Sequence, residues 1–309
     1  MEPRRDPASS TAFQTEMANL WGAFGADSEC GTLRAVLMHR PGPEIELVDG
    51  SNYDDWLYFA PVDAKRLRAQ FDRLVEVYHE NGVTVHFVEG QRTDRPNAMF
   101  VRDLMFMATE GAILARPGHA ARRGEERAVG ATLAGLGAPI ARTVAGDGTF
   151  DGACAMMVDH DIALVAVSSR TNREGADQVA DQLRAMGVSH IIRCSVPVNQ
   201  IHLDGCMNVV DRRKVIISPW QMPFEATQAL RDLGVTLIES TVLDGIPGMG
   251  LNFVALQPGK VVMPAGFPES ERLLERHGIE AIRVEIDEVA RAGGEMHCLT
   301  GIVRRDPLD

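Results

Sequence analysis

Five times along this chain a helix-like stretch ends in a glycine followed by a small or β-branched residue, then runs into a strand. The five junctions are Gly82-Val83, Gly137-Ala138, Gly187-Val188, Gly234-Val235 and Gly278-Ile279, roughly 45–55 residues apart. A regular spacing of this size is the mark of repeat architectures. Glycine belongs just past a helix because it takes the left-handed C′ conformation without a Cβ clash. The segments that follow, 83–87, 140–144, 191–195, 236–240 and 282–286, are rich in strand-forming residues. Ahead of the later helices lie paired apolar runs that read as hairpins: 98–108 with 112–116, 154–158 with 163–167, 206–210 with 214–218, and 252–256 with 261–264. A single doubly wound sheet accommodates hairpins between its helices poorly. The pattern predicts an α/β fold of five ββαβ modules about a pseudo-fivefold axis, a five-bladed propeller. A first strand at 33–39 and a last at 296–304 would close the ring. Residues 1–27 read as a flexible N-terminal arm and 28–309 as one domain.

Composition narrows the partners. The 309 residues are 45% hydrophobic and 24% charged, ordinary values for a globular chain. A formal net charge of -12 argues against nucleic acid or an anionic membrane surface and agrees with a cationic small molecule. The five cysteines, Cys30, Cys154, Cys194, Cys206 and Cys298, are odd in number and form no CxxC pair. That favours reduced thiols in a cytoplasm over a disulfide framework or a zinc site. Arg4, Arg5 and Asp6 precede a Ser/Thr stretch without the apolar core of a signal peptide, and no run of about 18 apolar residues is present.

The chemistry-bearing residues fall in short segments, most of them one per module. Cys298 lies in Gly293-Gly294-Glu295-Met296-His297-Cys298-Leu299-Thr300, and a glycine-flanked thiol at the last strand reads as a nucleophile. Asp103, Asp151, and His202 with Asp204 open the central strand pairs of successive modules. Strand alternation places His202 and Asp204 on one face and turns His297 away from Cys298, so His202 is the better base. Cys206 shares that face and is a rival nucleophile. Asp159-His160-Asp161 resembles a metal-ligand cluster but reads as a hairpin turn. Arg102-Asp103, taken alone, reads as a local ion pair.

Together these residue types suit covalent chemistry on a guanidinium group. Its planar cation is matched by carboxylates accepting two hydrogen bonds side by side. Its carbon is a poor electrophile and needs a thiolate held close. Departure of ammonia needs a proton donor, and hydrolysis of the thiouronium needs the same group as a base; histidine serves both at neutral pH. Asp151 would orient that histidine.

The segments Asn97-Ala-Met-Phe-Val-Arg-Asp103, Phe150-Asp151-Gly152, Arg170-Thr-Asn172, His202-Leu-Asp204 and His297-Cys298-Leu-Thr300 jointly resemble the guanidino-group-modifying superfamily. This superfamily comprises arginine deiminases, dimethylarginine dimethylaminohydrolases and amidinotransferases, and the similarity runs from Ser28 to Asp306. The resemblance implies a five-bladed α/β propeller, Cys298 as nucleophile, His202 as acid and base, Asp151 as its orienting carboxylate, and no metal or organic cofactor. Asp103 and Asp204 look like the guanidinium clamp of arginine deiminases, and Asp204 argues for an unsubstituted guanidinium. Asn97, Arg122 and Arg170 look like the residues that hold a substrate α-carboxylate, with Arg123 and Arg116 as loop alternatives to Arg122. Asp151 stands where deiminases have glutamate, Cys154 where an aspartate is common, and the helical insertion of larger deiminases is missing. The implied activity is hydrolysis of arginine or a close guanidino acid to a ureido product and ammonia. Amidine transfer to an amine, hydrolysis of dimethylarginine and a dihydrolase giving ornithine are the alternatives, and a homodimer is the default assembly.

Overall fold

The computed structural model describes residues 13–241 and 249–308. Helix α1 (Phe13–Leu20) leads to strand β1 (Leu33–Met38), helix α2 (Ala64–Glu80) and strand β2 (Thr84–Phe87). Four hairpin–helix–strand modules follow. The first is β3 (Met105–Ala108), β4 (Gly111–Leu114), α3 (Glu126–Gly135) and β5 (Ile140–Thr143). The second is β6 (Ala155–Asp159), β7 (Ile162–Val167), α4 (Arg173–Ala185) and β8 (His190–Ser195). The third is β9 (Met207–Asp211), β10 (Lys214–Ile217), α5 (Phe224–Asp232) and β11 (Thr236–Glu239). The fourth is β12 (Val254–Gln257), β13 (Lys260–Pro264), α6 (Pro268–Arg276) and β14 (Glu280–Val284). Helices α7 (Asp287–Arg291) and α8 (Met296–Leu299) and strand β15 (Gly301–Arg305) complete the described chain.

The repeated glycines end the helices as the sequence predicts. Gly82, Gly137, Gly187, Gly234 and Gly278 all have φ between +74° and +89°. In each case the next residue's N–H donates back to a carbonyl of the last turn: Val83 to Tyr78, Ala138 to Leu133, Val188 to Leu183, Val235 to Leu230, Ile279 to Leu274. This 6→1 bond with a left-handed C′ residue is the Schellman motif, and it turns each helix into the strand that completes its sheet. The opposite ends are capped by side chains where the sequence offers them. Asp63 accepts from the Arg66 N–H ahead of α2, and Asn172 from the Gly175 N–H ahead of α4.

Five three-stranded sheets result, each an antiparallel pair with a parallel third strand reached through a helix. The first is made from both ends of the chain: Val36 of β1 pairs with Ile302 of β15 on one side and Val85 of β2 on the other. One expectation fails here. Residues 296–304 are not one strand; Met296–Leu299 is a helical turn, and β15 begins at Gly301. Gly25 and Ala26, inside the expected arm, donate to the carbonyls of Val303 and Ala108, and α1 precedes them. Residues 1–12 lie outside the described residues.

Every residue of β3 and β6 is buried, as for strands covered on both faces. Helix α2 turns Leu67, Phe71, Leu74 and Tyr78 inward, and α4 turns Ala176, Val179, Ala180 and Leu183 inward. At about 1.5–3 kcal/mol for each large apolar side chain removed from water, these stripes hold the helices on the sheets. Among the described residues no helix is long and apolar enough to cross a membrane.

Between each incoming connection and its hairpin the chain makes a short 3-10 turn: Val101–Asp103, Gly152–Cys154, Leu203–Gly205 and Met249–Leu251. Consecutive turns pack on one another in that order, and α8 packs on the first. The close approach depends on Gly152, where a Cβ would sit 2.2 Å from the Met105 carbonyl oxygen and 2.4 Å from that of Arg102. Gly152→Ala is therefore expected to destabilise the protein by about 2–4 kcal/mol. Gly50→Ala, with nothing within 4 Å of its Cβ position, serves as the neutral control. Urea unfolding curves decide it, and equal midpoints for the two variants would refute this account of the turn contact.

Candidate active site

A cavity of about 380 Å³ opens over these turns, with Asp103, His202, Asp204, Asn252 and Cys298 in its wall. Asp103 ends the first turn, His202 caps the third and Asp204 lies within it, so the shared direction of the last two comes from a turn and not from an extended strand. Asn97, Arg122 and Arg170 also line the cavity. Asp151 caps the second turn and is fully buried behind it.

His202 lies between two carboxylates. Its Nε2 is 3.0 Å from Asp151 Oδ2 and its Nδ1 is 3.4 Å from Asp103 Oδ1. Burial pushes the imidazole pKa down, but the Asp103 charge and the Asp151 hydrogen bond outweigh it and hold His202 above its ordinary value. Asp151 is held in turn. Its own burial works against the charge, but His202, Arg122 and the Gly118 N–H bring the carboxyl below its ordinary range. The Gly118 N–H donates to Oδ1 at 3.1 Å, and the Asp151 N–H donates to Thr171 Oγ1 at 3.1 Å.

Arg122 is largely committed within the protein. Its Nη1 pairs with Asp103 Oδ2, its Nε donates to Glu125 at 3.0 Å, and its Nη2 donates to the carbonyls of Asn97 and Phe100, each at 3.2 Å. It fixes Asp103, whose Oδ1 has no hydrogen bond among the described residues. Asn97 Nδ2 donates to the Trp56 carbonyl at 2.7 Å and so anchors the loop that walls the cavity. Arg170 makes no salt bridge among the described residues, which leaves its guanidinium as the accessible cation of the three proposed head-group residues.

Strand alternation is not what places His297, because Met296–Leu299 is a helical turn; His297 does not line the cavity but reaches Asp204. Its Nδ1 lies 2.8 Å from Asp204 Oδ2 and its Nε2 lies 3.7 Å from Glu29 Oε2. Glu29 Oε1 accepts from Arg102 at 3.1 Å. Arg102 and Asp103 are accordingly not an ion pair of neighbours; each is buried and pairs with a distant partner. Burial opposes charge on His297, but the Asp204 hydrogen bond and the nearby Glu29 carboxylate raise it above its ordinary value. For Glu29, burial is outweighed by Arg102 and His297, and its carboxyl is lowered to about 2.

Cys298 is buried at the inner end of this chain of charges. Its sulfur is 3.9 Å from Asp204 Oδ2, and Asn252 Nδ2 donates to it at 3.3 Å. Burial first, then the charges of Asp204 and Asp103, push its thiol well above the ordinary value. Cys206, the rival nucleophile, instead directs its sulfur at the His202 carbonyl, 3.7 Å away, and does not line the cavity. Cys154 contacts Ser168 Oγ at 3.5 Å, and burial raises its thiol to about 12. Asp103, Asp151 and His202 each bring one ligand atom within 4.8 Å of the others, close enough to share a cation; so do Asp159, His160 and Asp161. In the second set, which forms the expected hairpin turn, Arg213 pairs with both aspartates. Asn252, Glu29 and His297 are the residues that sequence reasoning missed. His297 stands inside the segment 293–300, but its pairing with Asp204 and Glu29 depends on contacts between distant parts of the chain.

A thiol, a histidine between the carboxylates of Asp151 and Asp103, and the further carboxylate of Asp204 agree with what the comparisons show, that the chain is one of the guanidino-group-modifying superfamily. Within it, the chain belongs to the dimethylarginine dimethylaminohydrolase family: the model for eukaryotic N,N dimethylarginine dimethylhydrolase matches residues 61–305. A dimethylarginine dimethylaminohydrolase of Streptomyces coelicolor is 26% identical over 86% of this chain and 96% of its own length. An arginine deiminase of Rhodococcus erythropolis is 21% identical, covering 92% of this chain and 98% of its own. The fold matches that of a Pseudomonas aeruginosa dimethylarginine dimethylaminohydrolase, solved as a cysteine-to-serine mutant with citrulline. The TM-score is 0.72 at 20% identity, over 89% of this chain and 100% of the other.

The Glu29 contacts carry a pH dependence with a definite sign. Its folded pKa of about 2 lies below the ordinary 4.5, so its stabilisation is complete above the ordinary value and is lost as pH falls from there toward 2. Glu29→Gln should cost about 3 kcal/mol near neutral pH and flatten the acid side of a plot of Tm against pH. Parallel curves for variant and wild type would refute the assignment.

Proposed function

We propose that this chain hydrolyses the guanidinium group of arginine or a close guanidino acid, with the five sheets standing as propeller blades around the cavity and residues 28–309 as the catalytic unit. The observation that carries the reading is the convergence of Cys298, Asp103, Asp204 and the His202–Asp151 pair on one cavity. Asp103 Oδ1, which makes no hydrogen bond among the described residues, and the Asp204 carboxylate accept from the guanidinium nitrogens. The cation offsets the two negative charges that oppose thiolate formation, so substrate binding favours the attacking form of Cys298. The sulfur adds to the guanidinium carbon, and the C–N bond breaks as His202 delivers a proton to departing ammonia. Water, deprotonated by His202, then adds to the thiouronium carbon; the C–S bond breaks and releases the ureido product and the thiolate. Arg170 holds the carboxylate at the other end of the substrate, and no metal enters the scheme. Reduced buried thiols fit a cytoplasmic setting.

A second reading, hydrolysis of N-methylated arginine, is favoured by the match to the dimethylarginine family model. Asp204 discriminates between the two, because a carboxylate there takes N–H groups that methylation removes. Asp204→Asn is expected to weaken binding of unsubstituted guanidines by about 10–100-fold and of dimethylated ones much less. Equal losses in calorimetric titrations would count against the clamp.

The deciding experiment is mass spectrometry of the products formed from arginine with and without glycine, and from dimethylarginine. Citrulline and ammonia from arginine alone support the first reading; product only from dimethylarginine supports the second; ornithine with two ammonias or a glycine-dependent product overturns both. Cys298→Ala should abolish turnover while substrate still binds. Turnover near wild type in that variant would remove Cys298 from the mechanism.

A further inference from the structure

The reacting sulfur has a neighbour outside the acid, base and clamp residues. Asn252 follows the turn Met249–Leu251, is 4% exposed, and lines the cavity beside Cys298. Its side-chain oxygen accepts the His297 backbone N–H at 3.0 Å. Only the oxygen of an amide can accept from an N–H, so this bond settles which atom of the group is the oxygen and which the nitrogen. The nitrogen is left pointing at Cys298, with Nδ2 at 3.3 Å from Sγ. The donor of the His297 bond belongs to the helical turn that carries Cys298, so amide and thiol are fixed relative to one another across two distant parts of the chain.

The charges around the sulfur make such a donor consequential. From the turn Leu203–Gly205, Asp204 approaches the sulfur to 3.9 Å, and Asp103 faces the cavity from the turn Val101–Asp103. His202 lines the same cavity. On the helical turn itself His297 is directed at Asp204, and the buried Glu295 precedes it. A thiolate formed among these carboxylates needs hydrogen-bond donors, and a neutral amide supplies one without placing a cation against the clamp.

We propose that Asn252 is a positioning residue that presents its amide N–H to the Cys298 sulfur and thereby favours the thiolate over the thiol. The role rests on reading Cys298 as the attacking thiol, and it is separable from the identity of the substrate. In the thiol form the same amide receives the S–H, since Oδ1 lies 3.6 Å from Sγ, so one side chain serves both protonation states.

The test is alkylation of Cys298 by iodoacetamide, followed by peptide mass spectrometry as a function of pH, with Cys298→Ala as the blank. No substrate is required. Asn252→Asp keeps the shape and the acceptor for the His297 N–H but puts a carboxylate oxygen against the sulfur; Asn252→Ala removes the donor to the sulfur together with that acceptor. At a fixed pH below the thiol's titration, alkylation should fall about tenfold in Asn252→Ala and about a hundredfold in Asn252→Asp. A purely structural role predicts the reverse order, because the aspartate is the closer match in shape, and that order would overturn the proposal. Equal rates in wild type and Asn252→Asp would also overturn it, even if the alanine variant failed to fold. If the rates fall in the expected order but no guanidino compound is turned over, the role of Asn252 stands and the functional reading fails.

Discussion

The contact on which the rest of the structure depends is the buried guanidinium of Arg102. It donates to the carbonyls of Gly152 at 2.6 Å and Ala155 at 2.7 Å, and to Glu29 at 3.1 Å. Those partners belong to a different module and to the segment ahead of β1, so one side chain ties together pieces of chain that share no strand pairing. Arginine suits this position because its planar fork is always charged and has five donors to distribute. A lysine would bring one charge and fewer directions. From Glu29 the chain of contacts continues to His297, Asp204 and the edge of the sulfur, so the geometry of the cavity is linked to the packing of the turns beneath it. A buried charge left without its partner is costly, which explains why these groups occur as a connected set.

Much of the fold was legible because it is written in local rules. A glycine one step past a helix and a small or β-branched residue after it are short-range signals, and all five junctions adopt the geometry those signals demand. Hairpins between apolar runs follow from the same kind of evidence, as does the pairing of the first strand with the last. The 3-10 turns ahead of the hairpins were not legible. A three-residue turn such as Val101–Asp103 leaves no periodicity, and its residues read as part of the apolar run that follows.

That loss propagated to the site. Treating residues 296–304 as extended sent His297 away from Cys298, whereas one helical turn brings the imidazole to Asp204. Asn252 carried no signal at all, since a lone asparagine ahead of an apolar run is most simply a turn residue, and its partners lie more than forty residues away. Arg122 shows the opposite problem. The sequence assigned it an outward task, but its donors are drawn inward by Asp103, Glu125 and two carbonyls. Residue types were readable; the direction in which a long charged side chain spends its hydrogen bonds was not, because that is decided by which carboxylate is buried nearby.

The balance of charge at the cavity follows from these contacts. Asp103 and Asp204 face the cavity, while the groups that steady them are tied to other partners as well: Arg122, at the cavity wall, to Glu125, and His297, away from the wall, to Glu29. The inner wall is thus acidic toward the ligand and compensated toward the protein. A planar cation entering this space relieves the repulsion that the carboxylates exert on one another and on the thiolate, whereas a neutral molecule of the same shape relieves neither. Reactant and product of guanidinium hydrolysis differ in this respect, since the product is an uncharged urea. In the proposed reaction the carboxylates that hold the cationic substrate therefore lose their hold on the uncharged product, so product release follows from the same electrostatics as binding.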